Sequence, residues 1–190
     1  MTGVSFFTTE LTPKRLELTR ELVPGVATIA VLSNPASIRT KSDENGIEVA
    51  ARNVGQKIII LRASTASEID TAFSIMVQQR AGALLVIGDA FLTSHRNQIA
   101  ALAARNLIPA VYNNYLYVLA GGLMSYGDDR LESQRQAGRY IGRILNGEKP
   151  ADLPVLQPTK FQFVINLKAA KALGLTFPLS FQLRADEVIE

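Results

Sequence analysis

The sequence contains no cysteine among its 190 residues, and this absence excludes disulfide bonds, zinc thiolates and a cysteine nucleophile. It contains one histidine, His95, so a metal site would need a cluster of carboxylates, and the sequence shows none. No apolar run reaches the roughly eighteen residues that a membrane-spanning helix requires. The N-terminal residues lack the charged and apolar segments of an export signal. We therefore expect no metal, no cofactor, no membrane span and no signal peptide in this chain.

Neither sign of charge dominates the sequence. Lysine and arginine together number 20 and aspartate and glutamate 17, which gives a formal net charge of +3. The basic residues are scattered among acidic and apolar ones, so the sequence does not indicate a nucleic-acid-binding protein. Hydrophobic residues make up 47% of the chain, enough for a sizeable core, and this excludes an intrinsically disordered protein.

Strand-like and helix-like patterns alternate as far as Tyr112. Short apolar runs rich in branched residues predict buried strands at 27–32, 57–61, 83–87 and 109–112. Helical patterns lie before and between them, at 12–22, at 37–54, from Ser67, and from Thr93 or Ser94. The repeat is roughly 25 to 30 residues, the size of a βαβ unit. Because such units are almost always right-handed, we expect an α/β fold with a doubly wound parallel sheet.

The alternation changes after Tyr112. The sequence there predicts a short helix at 113–119, a strand at 123–126 and a long helix at 129–145. Prolines then make an extended segment between 150 and 158. Alternating apolar and polar residues predict a strand at 160–165, and a helix follows that Asn166 caps and Gly174 ends. We expect one more helical turn near the C-terminus.

Four segments of the sequence resemble one known family. They are KRLEL and LVP within 14–24, VLSNP at 31–35, AGGLMSYG at 120–127, and the run from Pro158 to Ile189. In this order they resemble ABC-transporter substrate-binding proteins along essentially the whole chain. The resemblance implies a solute-binding, non-enzymatic component of an ABC importer in the periplasm, with a type I periplasmic binding fold. Its ligand would lie in the cleft between two lobes, and its partner would be a membrane permease. Characterised relatives include binders of aromatic amino acids, while most of the family has no assigned ligand.

The resemblance also divides the chain into two parts. Residues 1–120 resemble the second-lobe α/β domain of the family. Residues 121–190 resemble the segment that returns to the first lobe, in the order helix, strand, helix. Most of the first lobe has no counterpart in this sequence. We therefore expect a periplasmic-binding-protein-like type I lobe, followed by the C-terminal segment of an incomplete other lobe.

Two apolar faces in the C-terminal segment follow from this division. Phe161, Phe163 and Ile165 form one face, and Ile141 and Ile144 form the other. Both would be exposed without a first lobe, and soluble monomers rarely tolerate a large apolar patch. We therefore expect a homodimer in which a second copy covers these faces through the C-terminal segment.

Candidate ligand-binding residues follow the first and third strands, because ligands of open α/β sheets bind beyond the carboxyl ends of the strands. Asn34 and Ser37 precede a helix N-terminus, whose backbone amides favour an anion such as a carboxylate. Alternatively, they are a turn residue and an N-cap. Asp89 would accept a hydrogen bond from an ammonium group, and Phe91 would stack on an apolar part of the ligand. Alternatively, Asp89 caps the next helix and Phe91 closes the core.

Further candidates follow the fourth and fifth strands. Tyr112, Asn113 and Asn114 are three hydrogen-bonding side chains at one strand end, although a plain loop would also explain the two asparagines. Tyr126 follows Gly121-Gly122, which the resemblance places at a hinge crossing and which would otherwise be a simple turn. The mixture of polar side chains suits a small polar solute with an apolar part, such as an amino acid.

Three other functions remain as alternatives. A Rossmann-like enzyme is disfavoured because the first strand lacks a G-x-G-x-x-G turn, no phosphate-binding loop occurs, and Asp89 stands alone at the strand ends. A ligand-sensing domain of a transcription regulator would need a helix-turn-helix unit, and the N-terminus offers no candidate. A truncated remnant without transport activity is the third, since a ligand held by one lobe loses about half of its enclosure.

Overall fold

The computed structural model describes residues 2–4, 11–157 and 160–190. The strands are β1 Gly3–Val4, β2 Thr28–Ser33, β3 Lys57–Arg62, β4 Ala83–Val86, β5 Ala110–Tyr112, β6 Met124–Asp128, β7 Val155–Leu156, β8 Phe161–Asn166 and β9 Glu187–Ile189. The helices are α1 Thr12–Leu22, α2 Thr40–Asn53, α3 Ala66–Gln78, α4 Ala90–Ser94, α5 Arg96–Arg105, α6 Leu116–Leu119, α7 Arg130–Leu145, α8 Leu167–Ala172 and α9 Leu179–Arg184. None of these described helices has the length and hydropathy needed to cross a membrane.

The described residues form a main sheet of seven strands in the order β3-β2-β4-β5-β6-β8-β9. The first five strands in this order run parallel to one another, β8 is antiparallel to β6, and β9 is parallel to β8. Every residue of β2, which lies between β3 and β4, is buried, and this burial explains why its sequence is a nearly continuous apolar run rather than an alternation. The predicted α/β fold with a mostly parallel sheet is confirmed.

Helices cover both faces of the main sheet. On one face, Phe73 of α3 and Ile99 of α5 pack with Leu32 of β2. On the other face, Leu16 of α1 and Ile47 of α2 pack with alternate residues of β2 and β4. Burying a side chain such as that of Phe73 contributes about 1.5–3 kcal/mol. These two layers fix the loops at the carboxyl ends of the parallel strands, where the polar candidates lie.

A small unit lies off the main sheet. β1 and β7 pair in parallel as a separate two-stranded sheet, and α7 packs against β1. The Tyr140 hydroxyl of α7 donates a hydrogen bond to the Pro154 carbonyl, just before β7, at 2.9 Å. The Thr2 hydroxyl donates to the same carbonyl at 3.0 Å. β1, α7 and β7 are therefore held together by their own contacts.

Most predicted helices and strands lie within a few residues of the observed ones, and two regions differ. The helix predicted to start at Thr93 or Ser94 starts earlier, as α4, because Asp89 accepts a hydrogen bond from the Leu92 amide and caps it. The C-terminal tail, predicted as a helical turn, forms α9 and then β9. Pairing with β8 gives this tail a strand conformation that its own sequence did not indicate.

The expectation of an exposed apolar face on the last long strand is wrong. β8 pairs with β6 in the main sheet, so Phe163 and Ile165 are buried at 4% and 0% exposure. Phe161, the first residue of β8, is 37% exposed. On α7, Ile141 is 58% exposed, Ile144 of the expected face is half-buried, and Leu145 beside it is 81% exposed. Part of the expected apolar surface therefore lies on α7 of the small unit, whereas most of the expected face on β8 is buried in the sheet.

The main sheet also crosses the predicted division at residue 120. β6, β8 and β9 all come from residues 121–190, yet they extend the sheet that β2 to β5 begin. Only α7 and β7 of this segment lie with β1 off the main sheet. The reason is that β8 supplies an antiparallel partner for β6, which would otherwise be an edge strand. The assignment of segments to lobes stays a prediction.

Candidate functional site

A cavity of about 500 Å³ lies at the carboxyl ends of β4, β5 and β6. This volume falls within the range of about 300–1,000 Å³ that is usual for small-molecule sites. Its wall combines the loops after β4 and β5, the end of β6 and the first residue of α7. The lining residues are Arg39, Gly88, Asp89, Ala90, Thr93, Ser94, Arg96, Asn113, Asn114, Asp128 and Arg130.

Asp89 lines the cavity and is hydrogen-bonded to Asn34, which is not among the described lining residues. The Asn34 Nδ2 donates to Asp89 Oδ1 at 3.1 Å, and the Leu92 amide donates to the same oxygen at 3.0 Å. Asn34 in turn accepts a hydrogen bond from the Ala36 amide at 3.0 Å, which makes it a turn residue. The capping alternative for Asp89 is therefore what the structure shows, and the same residue lines the cavity. Its role as a ligand-binding group stays a prediction.

Ser37 does not have the position expected of it. α2 begins three residues later, at Thr40, whose hydroxyl donates to the Asn34 carbonyl. Ser37 accepts a hydrogen bond from the Arg39 amide at 3.4 Å and is not among the described residues that line the cavity. The loop instead brings Arg39 to the cavity wall. An anion there would meet a guanidinium group rather than the N-terminus of α2.

The two asparagines after β5 do lie at the cavity. Asn113 and Asn114 both line it, and Asn114 Nδ2 donates to Asn113 Oδ1 at 3.2 Å. Asn114 Oδ1 accepts a hydrogen bond from the Leu116 amide at 3.1 Å, which fixes the turn into α6. Thr93 lines the cavity and lies 3.4 Å from Asn114 Nδ2. This polar group therefore comes from two neighbouring loops.

Tyr112 lies in the core, and the expectation that it forms a cleft wall is not matched by its position. Its side chain is 0% exposed and stacks on Tyr117, with ring centroids 4.5 Å apart and planes 9° apart. Burial raises the pKa of both hydroxyls above their ordinary value. The physical reason is that Tyr112 is still a strand residue, so its side chain points to a face of the sheet and not beyond its edge.

Phe91 and Tyr126 also lie away from the described cavity wall. Phe91 packs against the core cluster under α3 and α5, and its ring lies 4.4 Å from that of His95. Tyr126 is in the middle of β6, and its ring lies 6.2 Å from that of Phe163. Gly121, with φ of 92°, forms the turn from α6 to β6, so the simple-turn alternative describes it.

Four charged residues of the cavity were missed by the sequence analysis: Arg39, Arg96, Asp128 and Arg130. Asp128 was missed because the fifth strand was predicted to end at 126, whereas β6 continues to Asp128. Arg96 is held at the start of α5 by a hydrogen bond from its Nη1 to the Thr93 carbonyl at 3.2 Å. Arg39, Arg96 and Arg130 come from the loop before α2 and from the first residues of α5 and α7, and no local sequence pattern marks them as cavity residues.

Arg15 lies behind this wall and is 1% exposed. Its Nη2 donates to the Thr12 hydroxyl at 2.9 Å, and its Nη1 lies 3.4 Å from the Tyr126 carbonyl of β6. Burial lowers the pKa of Arg15 to about 10, and the attraction of Asp128 and Asp43 partly opposes that effect. A buried cation on α1 therefore faces the acidic residue at the end of β6.

The cavity carries both signs of charge within one wall. Asp89 and Asp128 supply two carboxylates, and Arg39, Arg96 and Arg130 supply three guanidinium groups. Guanidinium groups bind carboxylates through paired hydrogen bonds, and carboxylates accept hydrogen bonds from ammonium groups. The arrangement can therefore hold a small molecule that has an anionic group and a cationic group.

A family model described as ABC transporter substrate binding protein matches residues 1–189. The chain belongs to this family. A curated relative, the tyrosine-binding protein of Clostridioides difficile strain R20291, is 26% identical over 162 residues, which cover 85% of this chain and 47% of the relative. The chain thus spans about half the length of that substrate-binding protein. The resemblance found in the sequence is confirmed.

Solved structures agree with this membership. An ABC domain from Streptococcus pneumonia in complex with L-Trp is 28% identical with a TM-score of 0.86, over 99% of this chain and 64% of that one. A conserved domain protein from Vibrio cholerae gives a TM-score of 0.88 at 25% identity, over 98% and 62%. A ligand-free, open substrate binding protein from Clostridium difficile gives 0.73 at 25% identity, over 100% and 62%.

Proposed function

We propose that this chain binds an α-amino acid in the cavity beyond β4, β5 and β6, as the solute-binding component of an ABC importer. The observation that carries the proposal is the presence of two carboxylates and three guanidinium groups on one cavity wall. A zwitterionic amino acid presents one ammonium and one carboxylate group. Asp89 or Asp128 would accept the ammonium group, and the arginines would bind the carboxylate.

The relatives support an amino acid with an aromatic side chain. One is a tyrosine-binding protein and another was solved in complex with L-Trp. A cavity of about 500 Å³ has room for an amino acid of this size. The proposed role is binding and release, without chemical conversion of the solute.

The cavity also supports a cleft between two lobes. Its wall joins loops of the main sheet to Arg130, the first residue of α7. α7 lies with β1 and β7 in the small unit off the main sheet. We assign that unit to the other lobe, and the main sheet, including β8 and β9, to the second lobe. A ligand in the cavity would then contact both lobes and favour their closure.

Binding of analogues tests the two halves of this proposal. Calorimetry with L-tryptophan is compared with tryptamine, which lacks the carboxylate, and with N-acetyl-L-tryptophan, whose nitrogen is uncharged. Each analogue is expected to bind at least about tenfold more weakly, because each leaves a charged group of the cavity without its partner. Equal binding of all three, or no binding of L-tryptophan, L-tyrosine or any other amino acid, would overturn the proposal.

A pair of variants locates the binding site. Asp128→Asn removes one carboxylate of the cavity, and Asp152→Asn removes an exposed carboxylate far along the chain. The first is expected to weaken L-tryptophan binding by about tenfold or more, and the second to leave it unchanged. A weakening of the same size in both variants would place the ligand elsewhere.

The importer role implies a membrane permease as partner and a periplasmic or extracellular location. In this scheme the ligand-bound, closed form is the one that the permease recognises. Co-purification with a candidate ABC permease, in the presence and absence of L-tryptophan, tests that scheme. Failure to obtain the complex either with or without L-tryptophan would contradict the scheme.

The homodimer expected from the sequence now depends on α7 alone. Leu131, Ile141 and Leu145 are exposed on this helix, at 49%, 58% and 81%. We propose that a second copy covers this face when the 190-residue chain is isolated. Light scattering should then give twice the chain mass, and Ile141→Glu with Leu145→Glu should give a monomer. Glutamates at Leu179 and Leu183 of α9, which are equally exposed, should leave the dimer intact.

A further inference from the structure

Arg15 is the largest fully buried side chain among the described residues. Arginine is almost never buried completely unless its charge is paired, because desolvation of the guanidinium group costs several kcal/mol. An apolar residue at this position of α1 would be buried without such a cost. The position of Arg15 therefore calls for an explanation other than core packing.

The hydrogen bonds of Arg15 join two distant parts of the chain. Nη2 binds the Thr12 hydroxyl one turn earlier on α1, at 2.9 Å, which fixes the side-chain direction. Nη1 reaches the Tyr126 carbonyl, 111 residues later, at 3.4 Å. Tyr126 is two residues before Asp128, the last residue of β6. Arg15 thus ties α1 to the end of the strand that carries a cavity carboxylate.

Two acidic residues near Arg15 strengthen the link between α1 and the end of β6. Asp128 at the end of β6 is 7% exposed, and Asp43 of α2 is 2% exposed. Both attract the Arg15 guanidinium. Two buried carboxylates therefore share one buried cation. On the cavity side, Asp128 shares the wall with Asp89, Arg39, Arg96 and Arg130.

We propose that Arg15 is a positioning residue of the cavity, which holds the end of β6 against α1 and α2 and fixes the Asp128 carboxylate at the cavity wall. Its effect on a ligand passes through Asp128, and Arg15 itself does not line the cavity formed by the described residues. The consequence for ligand affinity rests on the proposed function. The arrangement of Arg15, Asp43 and Asp128 is independent of that function.

Removal of Arg15 has a defined electrostatic consequence. Asp43 and Asp128 would remain as two buried like charges without a cation between them. A like charge nearby and a low-polarity surrounding both disfavour the ionised carboxylate, so the pKa of Asp128 should rise. A protonated Asp128 is a poor acceptor for an ammonium group. Binding of a zwitterionic ligand should then weaken as the pH falls.

The first experiment needs no ligand. Carbon-13 NMR follows the titration of the aspartate carboxyls in the unsubstituted protein, in Arg15→Met and in Arg15→Lys. The Asp128 midpoint is expected to rise by at least about 1 pH unit in Arg15→Met and to be partly restored in Arg15→Lys. Arg20→Met is the control, because Arg20 is exposed on the same helix and its loss changes the net charge equally. The same Asp128 midpoint in Arg15→Met and Arg20→Met would overturn the proposal.

A second variant decides the matter if Arg15→Met does not fold. Asp43→Asn keeps Arg15 and removes the carboxylate that competes for it. The Asp128 midpoint should then fall, because Arg15 is no longer shared and a like charge is gone. An unchanged midpoint in Asp43→Asn would refute the coupling of the three residues.

The third experiment adds L-tryptophan as the probe. Arg15→Lys should bind it more weakly than the unsubstituted protein, with a loss that grows as the pH falls, whereas Arg20→Met should bind it normally. A merely structural role would weaken binding equally at all pH values, and that result would overturn the proposal. If the unsubstituted protein does not bind L-tryptophan, the proposed function fails on this ligand, and the carboxyl titrations still decide the role of Arg15.

Discussion

Gly127 lies directly against the backbone of Asn113, so that a Cβ atom at Gly127 would fall 1.9 Å from the Asn113 carbonyl oxygen. Gly127 belongs to β6, and Asn113 begins the loop after β5. The two segments therefore meet through main-chain atoms immediately beside the cavity. Only glycine allows this approach. The close contact between the two segments places Asp128 next to the asparagines of the cavity wall.

The first prediction concerns this contact. Gly127→Ala should lower the free energy of unfolding by about 1–3 kcal/mol, because the added methyl group must push the β5 loop away from β6. Urea denaturation measures the change. Gly138→Ala is the matched control, since no described atom apart from its chain neighbours and the nearby backbone of α7 itself lies within 4 Å of the corresponding Cβ position. That variant should be stabilised by about 0.5–1 kcal/mol, and equal losses in the two variants would contradict the prediction.

The second prediction separates the two roles of Asp89. Asp89→Asn keeps an oxygen for the Leu92 amide, so α4 remains capped and stability should change by less than about 0.5 kcal/mol. L-tryptophan affinity should nevertheless fall about tenfold, because the charge is lost. Asp89→Ala should lose the cap as well, at a cost of about 1 kcal/mol in stability. Calorimetry and thermal denaturation measure the two effects, and a parallel loss of affinity and stability in Asp89→Asn would count against a ligand role.

The sequence predicted the parallel sheet because each strand of its central part is a separate apolar run bounded by turn residues. β2 and β4 are buried on both faces, and runs such as TIAVLS at 28–33 indicate this burial in the sequence. β9 could not be predicted, because its strand conformation comes from pairing with β8. Pairing over long sequence separations leaves no local pattern.

The same argument explains the partial success at the site. Asp89 and Asn113 were found because they follow strands whose ends were predicted within one residue. Tyr126 was misplaced because β6 continues for two residues beyond the predicted end, to Asp128. Side chains two residues apart in a strand point to the same face of the sheet, so Tyr126 and Asp128 share a face. Tyr126 lies in the middle of β6, however, whereas Asp128 is its last residue and lines the cavity.

The third prediction concerns the hydroxyl of Tyr112. This hydroxyl is buried and has no hydrogen-bond partner among the described residues. An unsatisfied buried hydroxyl costs free energy, so Tyr112→Phe should raise the free energy of unfolding by about 1 kcal/mol. Tyr140→Phe is the comparison, because the Tyr140 hydroxyl donates to the Pro154 carbonyl at 2.9 Å. Tyr140→Phe should lower the free energy of unfolding by about 1 kcal/mol. Urea denaturation of both variants checks the opposite signs.

The fourth prediction concerns stability at alkaline pH. Burial raises the pKa of Tyr112 and Tyr117 above the ordinary value of 10.0. Between the ordinary and the raised values only the unfolded chain loses these two protons, so each tyrosine lowers stability as the pH rises above 10.0. Burial lowers the pKa of Arg15 to about 10, so above that pH the folded protein loses this proton before the unfolded chain does, and stability rises.

Two tyrosine protons and one arginine proton therefore act in opposite directions above pH 10. Each contributes at most about 1.4 kcal/mol per pH unit, and this slope is reached about one unit above pH 10, so the free energy of unfolding should fall with a slope that steepens toward that value. In Tyr112→Phe only Tyr117 and Arg15 remain, and their effects on stability oppose each other. The fall in the free energy of unfolding with pH should then largely disappear. Urea denaturation between about pH 9 and pH 11 measures the slope in both proteins, with tyrosinate absorbance recorded in parallel. Equal slopes would show that Tyr112 ionises at its ordinary pKa in the folded protein and is therefore not sealed in the core.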